Sequence, residues 1–582
     1  MAKSEVVVRI AGAAGDGIAS TGESFARICS RSGLHVFAYN SYQSVIRGGF
    51  VWLQVKAGER KIYSQGDNVD FLIALNQDEV NRHAPLMADG AGILFNRDRM
   101  KVPDGQLKPD VKLYPLPVKV MTAKYGSNPI MQNTVALGAL TRMLDMNFDT
   151  VISVIMDTFG DKNKAVVDAN IGVARAGYDH ADSEWGSAGF KLKFDFTKRR
   201  PVMTGNQAIA IGAVAAGCKF YAAYPMTPAS SILHWMAAHS DKCGVVVKQA
   251  EDEIAVLNMT IGAGFAGARA MCGTSGGGFA LMTEAVGLAS MTETPVVIVT
   301  SQRGGPSTGL PTKTEQGDLF QVLGASQGDF PKIIIAPSTV EDCYYAAAEA
   351  FNLAEKYQLP VMIMSDLYLS EHMETVSNID FKVAIDRGLI ANNDGGNGQR
   401  FKRYAFTETG VSPRSLPGME GLIHVAASDE HDETGILISD VFTDEEMRVK
   451  IMNKRMRKME FVLKELPPPT LYGPANAEIT LVGWGSTYSV LRETVETLAE
   501  DDITANHLHI RYLWPLNGDA VTRILARSNR ILDVEGNYSG QLARLIRMET
   551  SIKIENKLLK YDGEPFYPNQ VVKKAKELVR SG

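Results

Sequence analysis

The amino-acid sequence predicts an α/β, multidomain protein. Three observations predict it. Short apolar runs alternate with amphipathic helical stretches, the mark of largely parallel sheets covered by helices. Glycine-rich turns fall where several of those runs end. At 582 residues the chain exceeds what one hydrophobic core serves, so three or four domains are expected.

The first region opens with a strand at 6–10, a glycine-rich turn and a helix at 18–32. Further strands are expected at 34–39, 50–55, 71–75 and 92–95, and the region closes near residue 190. The polar, basic connection KLKFDFTKRRP leads into a second region, taken as 200–375, with strands at 220–223, 245–248, 268–272, 296–300, 332–336 and 359–365. Residues 376–470 are less regular. They carry NNDGGNG, an acid-rich patch and a basic helix at 447–464, followed by Pro467–Pro469, and read as a linker or arm. The third region, 471–582, repeats the alternation with strands at 478–484, 507–510 and 530–534. No repeat of fixed period runs through the chain, which argues against a solenoid.

Composition narrows the function classes. Hydrophobic residues at 45% and charged residues at 22% describe a folded globular chain. A formal charge of -6 and pI near 6.0 supply no basic field for nucleic acid or anionic lipid, so neither is an expected partner. The N-terminus MAKSEVVVRIAG enters a strand pattern directly, and no 18-residue apolar run could span a bilayer; a cytoplasmic protein is expected. The five cysteines, Cys29, Cys218, Cys243, Cys272 and Cys343, are isolated, so they spell neither a disulfide framework nor a tetrahedral metal site. An iron–sulfur cluster would need ligands from another chain.

Four motifs carry candidate chemistry. Gly12, Gly15 and Gly17 form GxxGxG between a strand and a helix, where free amides could meet a phosphate or CoA; a tight turn is the competing reading. The spacing is not the dinucleotide fingerprint, and the next strand ends in Tyr39-Asn40 without an acid for a ribose, which disfavours NAD. Second, Tyr224-Pro-Met-Thr-Pro-Ala-Ser230 sets Thr227 and Ser230 at a strand end, where hydroxyls suit a carboxylate; alone, it would be a turn with a helix cap.

Third, Gln249-Ala-Glu251-Asp-Glu253 begins a helix. All three acids would favour its dipole, while one, buried against a heterocycle, would do more. The loop Thr274-Ser-Gly-Gly-Gly278 follows the next strand and permits close approach of backbone to a ligand. Fourth, the Gly/Pro-rich loop from Ser301 to Asp318 holds Arg303 and Lys313 among hydroxyls, suited to a dicarboxylate; otherwise it is a solvated surface loop. The DEHDE patch at 429–433 has one histidine and no second at ligand spacing, and the Met-rich helix at 447–464 reads as a packed amphipathic helix.

In order and strand-end placement, the last three motifs resemble the 2-oxoacid:ferredoxin oxidoreductase family, as an alpha subunit with the family's gamma domain fused ahead of it. The TSGGG loop is similar to the TSGPG loop of pyrimidine-binding domains in thiamine-diphosphate enzymes, with glycine replacing proline. SYQSVIRGG resembles the gamma domain's segment before Arg-Gly-Gly, and Glu535-Gly-Asn-Tyr-Ser-Gly-Gln541 resembles a segment of the family's transketolase-C-like domain. The resemblance thus implies a gamma-type α/β domain at 1–190, a pyrimidine-binding-like domain at 200–375 and a transketolase-C-like domain at 471–582. Residues 376–470 match least.

It further implies a role for Glu251 against the coenzyme's aminopyrimidine, and for Thr227 and Arg303 on the oxoacid carboxylate. Lys313 is the expected selector of a distal carboxylate, hence 2-oxoglutarate over pyruvate, and Ser41 an accessory substrate contact. Gly12, Gly15, Gly17 and Arg47 are the expected CoA or cofactor contacts.

The implied reaction is reversible, CoA-dependent oxidative decarboxylation of 2-oxoglutarate to succinyl-CoA and CO2, with electrons passing to ferredoxin. A beta subunit would bring the Mg2+–diphosphate site and a [4Fe-4S] cluster, in a dimer of heterodimers. The rivals are an oxidoreductase of the same build for pyruvate, branched-chain or aryl-pyruvate substrates, and, from another class, a noncatalytic regulatory or assembly subunit.

Overall fold

The computed structural model describes residues 3–43, 48–102, 107–126, 131–160, 163–377, 379–392, 400–439 and 441–581. The chain forms two compact units, one of residues 1–204 with 371–377 and 567–569, the other of residues 205–370, 378–566 and 570–582.

The first unit is built on one sheet of β1 (Glu5–Ala14), β2 (His35–Ser41), β3 (Gly48–Gly58), β4 (Val69–Ala74), β5 (Met87–Asn96), β6 (Lys112–Leu116), β7 (Val202–Thr204) and β14 (Met373–Thr375), in the order β6-β5-β4-β1-β3-β2-β14-β7. The half β6-β5-β4-β1 is parallel, as the alternation with helices predicts. The other half is antiparallel, with β3 running back between β1 and β2. The sequence pattern missed this because β3 follows β2 with no helix among the described residues between them, and such a connection favours a hairpin-like return. Helices Met131–Met143 and Lys164–Glu184 pack so closely that a Cβ on Gly138 would fall 2.0 Å from the Ala174 carbonyl oxygen.

The second unit holds two sheets. One comprises β8 (Phe220–Ala223), β9 (Val246–Gln249), β10 (Ala270–Thr274), β11 (Val296–Gln302), β12 (Ile333–Ile335), β13 (Pro360–Asp366) and β18 (Tyr512–Trp514), ordered β18-β12-β13-β11-β10-β8-β9 and parallel apart from β18. Every residue of β11 is buried, so that strand reads as a nearly continuous apolar run rather than an alternation. The other sheet, β15 (Thr470–Tyr472), β16 (Ile479–Trp484), β17 (Ala505–Ile510), β19 (Ile531–Glu535) and β20 (Asn556–Leu559), is ordered β15-β17-β16-β19-β20. The two sheets share one apolar cluster, in which Ile334 and Met362 join Trp484, Leu513 and Ile546. Each such side chain, fully buried, contributes about 1.5–3 kcal/mol.

The stretch read as an arm is docked rather than free. Arg414 pairs with the buried Glu355, and Arg403 donates to the Glu293 carbonyl. The expected helix is present at Glu445–Glu465, but its inward face carries Lys454, Arg455 and Lys458 rather than the methionines. Lys454 and Lys458 each reach a Glu293 oxygen at 2.6 Å, and Glu430 of the acid-rich patch takes Arg455. A cationic stripe buried by acids elsewhere in the chain cannot be read from helical periodicity. Most of NNDGGNG lies outside the described residues. No helix of the described residues is long and apolar enough to cross a membrane.

Candidate active site

In the seven-stranded sheet the chain runs from β8 outward to β9, then returns to place β10 on the other side of β8. Loops leaving β8 and β10 therefore diverge, and a crevice opens at their carboxyl ends, where open α/β sheets bind ligands. Four sequence motifs are delivered to this edge: residues 224–230 after β8, 250–253 after β9, 274–278 at the end of β10, and 303–318 after β11.

Arg303 and Thr227 meet. The guanidinium Nη1 donates to the Thr227 carbonyl oxygen at 2.7 Å, so the cation is anchored to the β8 loop through the backbone and not through the threonine hydroxyl. Both residues are half-buried. Met226 Sδ lies 3.9 Å from Thr274 Oγ1, linking the β8 and β10 loops across the crevice.

The three acids after β9 separate by environment. Asp252 caps the helix Glu253–Phe265, its carboxylate accepting the Ala255 amide at 2.8 Å. Glu251 lies exposed on the preceding bend. Glu253, the first helical residue, is 3% exposed and its Oε1 has no hydrogen-bond partner. Burial raises its pKa, with the Asp252 charge acting in the same direction and its own backbone amide opposing. Glu253 leans on the β10 loop: a Cβ on Gly278 would fall 2.5 Å from Glu253 Oε1 and 2.1 Å from Thr274 Oγ1, so only glycine fits there. The buried acid expected at Glu251 is thus found two residues later.

Sequence reasoning missed Asp318 and Glu315, because only the cations of their loop attracted notice. Asp318 Oδ2 is buried without a partner, and a Cβ on Gly276 would come within 2.3 Å of it. Burial pushes the Asp318 carboxyl up to about 6 against the opposing charge of Arg303. Burial, then the Asp318 charge, pushes Glu315 up to about 7. The signal available was a pair of carboxyls just ahead of the apolar Leu319 and Phe320. Lys313 is largely buried in an ion pair with Glu564, so its charge already has a carboxylate beside it.

The other expected contacts belong to the first unit. Gly15 and Gly17 have φ of 99° and 80°, which accounts for glycine at both positions. The loop is held from within: Asp16 Oδ2 accepts the Ala13 amide at 2.9 Å, and Asn133 Nδ2 donates to the Asp16 carbonyl at 2.7 Å. Beside Gly17 a cavity of about 700 Å³ is bordered by Ser20, Thr21, Tyr125, Asn133 and Thr134. Ser41 ends β2, buried and in register with Trp52. Arg47 lies outside the described residues.

Comparison with known proteins gives matches over most of the chain. Residues 211–450 match the family described as pyruvate flavodoxin/ferredoxin oxidoreductase, thiamine diphosphate-binding; residues 7–180 match pyruvate ferredoxin/flavodoxin oxidoreductase; and residues 477–571 match pyruvate:ferredoxin oxidoreductase core domain II. A 2-oxoacid:ferredoxin oxidoreductase subunit alpha of Sulfolobus sp is 30% identical, over 98% of this chain and 97% of its own. A 2-oxoglutarate oxidoreductase subunit KorA of Mycobacterium tuberculosis is 28% identical over 97% of this chain and 90% of its own. The solved 2-oxoglutarate:ferredoxin oxidoreductase from Magnetococcus marinus, with 2-oxoglutarate, coenzyme A and succinyl-CoA bound, superposes with a TM-score of 0.93 at 34% identity, covering 99% of this chain and 100% of that one.

Proposed function

The chain belongs to the 2-oxoacid:ferredoxin oxidoreductase family as an alpha subunit, and from that membership we propose that it serves the CoA-dependent, reversible oxidative decarboxylation of 2-oxoglutarate to succinyl-CoA and CO2, with ferredoxin as electron acceptor. The observation that carries the site assignment is the orphaned, buried Oε1 of Glu253 at the switch-point crevice. A carboxyl that is buried without a partner, beside a glycine loop that leaves room, fits a heterocycle bearing a nitrogen to hydrogen-bond.

Thiamine diphosphate, when bound, supplies the nucleophilic carbon and the electron sink for decarboxylation. Glu253 then holds a proton shared with the ring nitrogen, the role the resemblance implied for Glu251. Burial, which raises its pKa, favours the protonated carboxyl that such an exchange uses, and the wall of Thr274 and Gly278 keeps the contact close. Arg303, tethered to the Thr227 carbonyl, presents its guanidinium to the oxoacid carboxylate and orients the keto carbon. Asp318 moderates the charge of that grip. Lys313, sharing Glu564, is placed to meet the distal carboxylate only by partner exchange. In the first unit, the Gly12–Gly17 loop and the cavity beside Gly17 are proposed to contact CoA.

The remainder of the site is assigned to a beta subunit, which brings Mg2+, the coenzyme diphosphate and a [4Fe-4S] cluster. The helix Glu253–Phe265 buries Val256, Leu257 and Ile261 yet leaves Ile254 and Met259 exposed, and Leu281 and Val246 are exposed nearby in sequence and on adjacent elements. A helix apolar on both faces calls for a second surface to cover it. The cysteines are isolated, and all but Cys243 are buried.

The test is co-purification with the natural partner, thiamine and iron analysis, and a 2-oxoacid screen with CoA. Bound thiamine and a preference for 2-oxoglutarate are expected. A complex without the coenzyme, or one that prefers pyruvate, overturns the reading at the level of chemistry or of substrate respectively.

A further inference from the structure

The segment Glu535–Gln541 lies in the five-stranded part of the second unit, and the site described above does not use it for chemistry. Its hydrogen bonds show where its side chains are spent. Glu535 at the end of β19 is an acceptor hub: Oε2 takes Trp484 Nε1 at 3.3 Å, Asn537 Nδ2 at 2.8 Å and the Leu542 amide at 2.9 Å, while Oε1 takes the Ala543 amide at 3.1 Å. Two of those amides belong to the first turn of the helix Gln541–Thr550, where a carboxylate is favoured. Asn537 Oδ1 in turn accepts the Ser539 and Gly540 amides, which fixes the turn.

The turn so rigidified is bonded to the foot of the Arg303 loop. The Gln316 amide donates to the Gly536 carbonyl at 2.6 Å, and the Gly536 amide donates back to Gln316 Oε1 at 3.0 Å. Asn537 Nδ2 donates to the Gln316 carbonyl at 3.1 Å. Gln541 Nε2 donates to the Gly317 carbonyl at 2.7 Å, and its Oε1 accepts the Phe320 amide at 3.2 Å. Gln316 itself is buried, and its Nε2 reaches the Trp484 carbonyl at 2.9 Å. By contrast, residues 305–310 at the loop's tip are exposed.

The foot is coupled back to the grip. The Asp318 amide donates to Gln302 Oε1 at 3.0 Å, one residue before Arg303, and the Gly304 amide donates to the Lys313 carbonyl at 3.0 Å. A loop pinned at residues 316–320 and closed on itself at 302–304 has little freedom to carry Arg303 away from Thr227.

We propose that Gln541, Asn537 and Gln316 are positioning residues for the 2-oxoacid: together they clamp the foot of the Arg303 loop and so hold the guanidinium and Asp318 in register with the crevice. The proposal rests on the reading that Arg303 grips the oxoacid. Bonds made before substrate arrives lower the ordering cost of binding, so their loss falls on oxoacid affinity and leaves CoA affinity alone.

The test uses the assembled complex carrying Gln541→Ala, Gln541→Glu or Gln316→Ala, with Arg303→Ala as a control. Glutamate keeps the acceptor for the Phe320 amide but sets a carboxylate oxygen against the Gly317 carbonyl, so it should be at least as severe a change as alanine. With each hydrogen bond contributing modestly, Gln541→Ala and Gln316→Ala should raise the KM for 2-oxoglutarate by about tenfold, with kcat changed less than about threefold and the KM for CoA within about twofold. Gln541→Glu should raise it at least as far as Gln541→Ala. Amide exchange in the 303–320 peptide should speed up in the same order.

An equal loss for both substrates, an unchanged oxoacid KM in a complex whose Arg303→Ala control is impaired, or failure of all three clamp variants to assemble would overturn the clamp. An Arg303→Ala complex with normal oxoacid KM would instead overturn the grip on which it rests.

Discussion

The substitution Glu253→Gln pulls apart two effects that a simple structural role would move together. The carboxyl is 3% exposed with an unpartnered oxygen, and burial is the largest cause of its raised pKa. A carboxyl whose folded pKa is raised is penalised when charged. Below the unfolded value both states are protonated and no penalty exists; as pH rises from the unfolded value through the folded one, the unfolded chain gives its proton to water while the buried carboxyl holds on to its own, and stability falls.

The amide has nearly the same volume, so it fits beside Gly278 and Thr274, and it carries no charge. The Glu253→Gln variant should therefore melt no lower than the native protein near pH 7, gain relative to it as pH rises above the acid range, and lose that gain near pH 4. Activity moves the other way. A general acid–base partner is worth about 10²–10⁴ in rate, so CoA-dependent 2-oxoglutarate turnover by the assembled complex should drop by at least about a hundredfold. Thermal melts at two pH values and steady-state turnover supply both readings. Turnover within a few-fold of native, or a clear drop in melting temperature at pH 7, would refute the reasoning.

Other outcomes follow from the same geometry. Gly278→Ala puts a methyl group within 2.1 Å of Thr274 Oγ1 and 2.5 Å of Glu253 Oε1, so it should depress turnover by about tenfold or more and lower coenzyme retention, read by thiamine analysis. Glu293→Gln leaves the fully buried Lys454 and Lys458 without their shared carboxylate and should destabilise by about 3–5 kcal/mol, read as a loss of protease resistance in residues 400–465. The pH dependence of that cluster has a sign. Burial, outweighing Glu293, pushes Lys458 down to about 7, so above that value the unfolded chain holds the extra proton and this group's penalty fades as pH rises.

His507 and His509 are fully buried on β17 with no ring nitrogen partnered. Burial pushes His509 down to about 4, with Asp342 opposing and Arg511 assisting, and pushes His507 well below its ordinary value. Between about 4 and 6.5 the unfolded state binds more protons, so stability falls on acidification, by up to about 3 kcal/mol for His509 alone. His509→Phe should flatten the melting curve's dependence on pH in that window.

Much of the site was legible because it sits at strand ends. Apolar runs located β8, β10 and β11, and the polar residues just beyond them, Thr227, the 274–278 glycines and Arg303, do gather at one sheet edge. Telling which of Glu251, Asp252 and Glu253 is buried required the helix start to within one residue, since the first helical position turns inward and the cap does not. Lys313 looked available because its partner, Glu564, is 251 positions away. Residues 376–470 looked like an arm because their docking relies on buried cations, a pattern with no apolar periodicity. The role of Glu535–Gln541 could not be read at all without the loop it binds, since a hydrogen-bonded clamp between distant segments leaves no mark on either alone.

The most direct test of the central claim is a structure of the assembled complex with thiamine diphosphate bound. The aminopyrimidine ring should lie within hydrogen-bond reach of Glu253 Oε1, about 2.6–3.2 Å, with Arg303 facing the reacting carbon. A ring seated against Glu251 instead, or away from the crevice between β8 and β10, would contradict it.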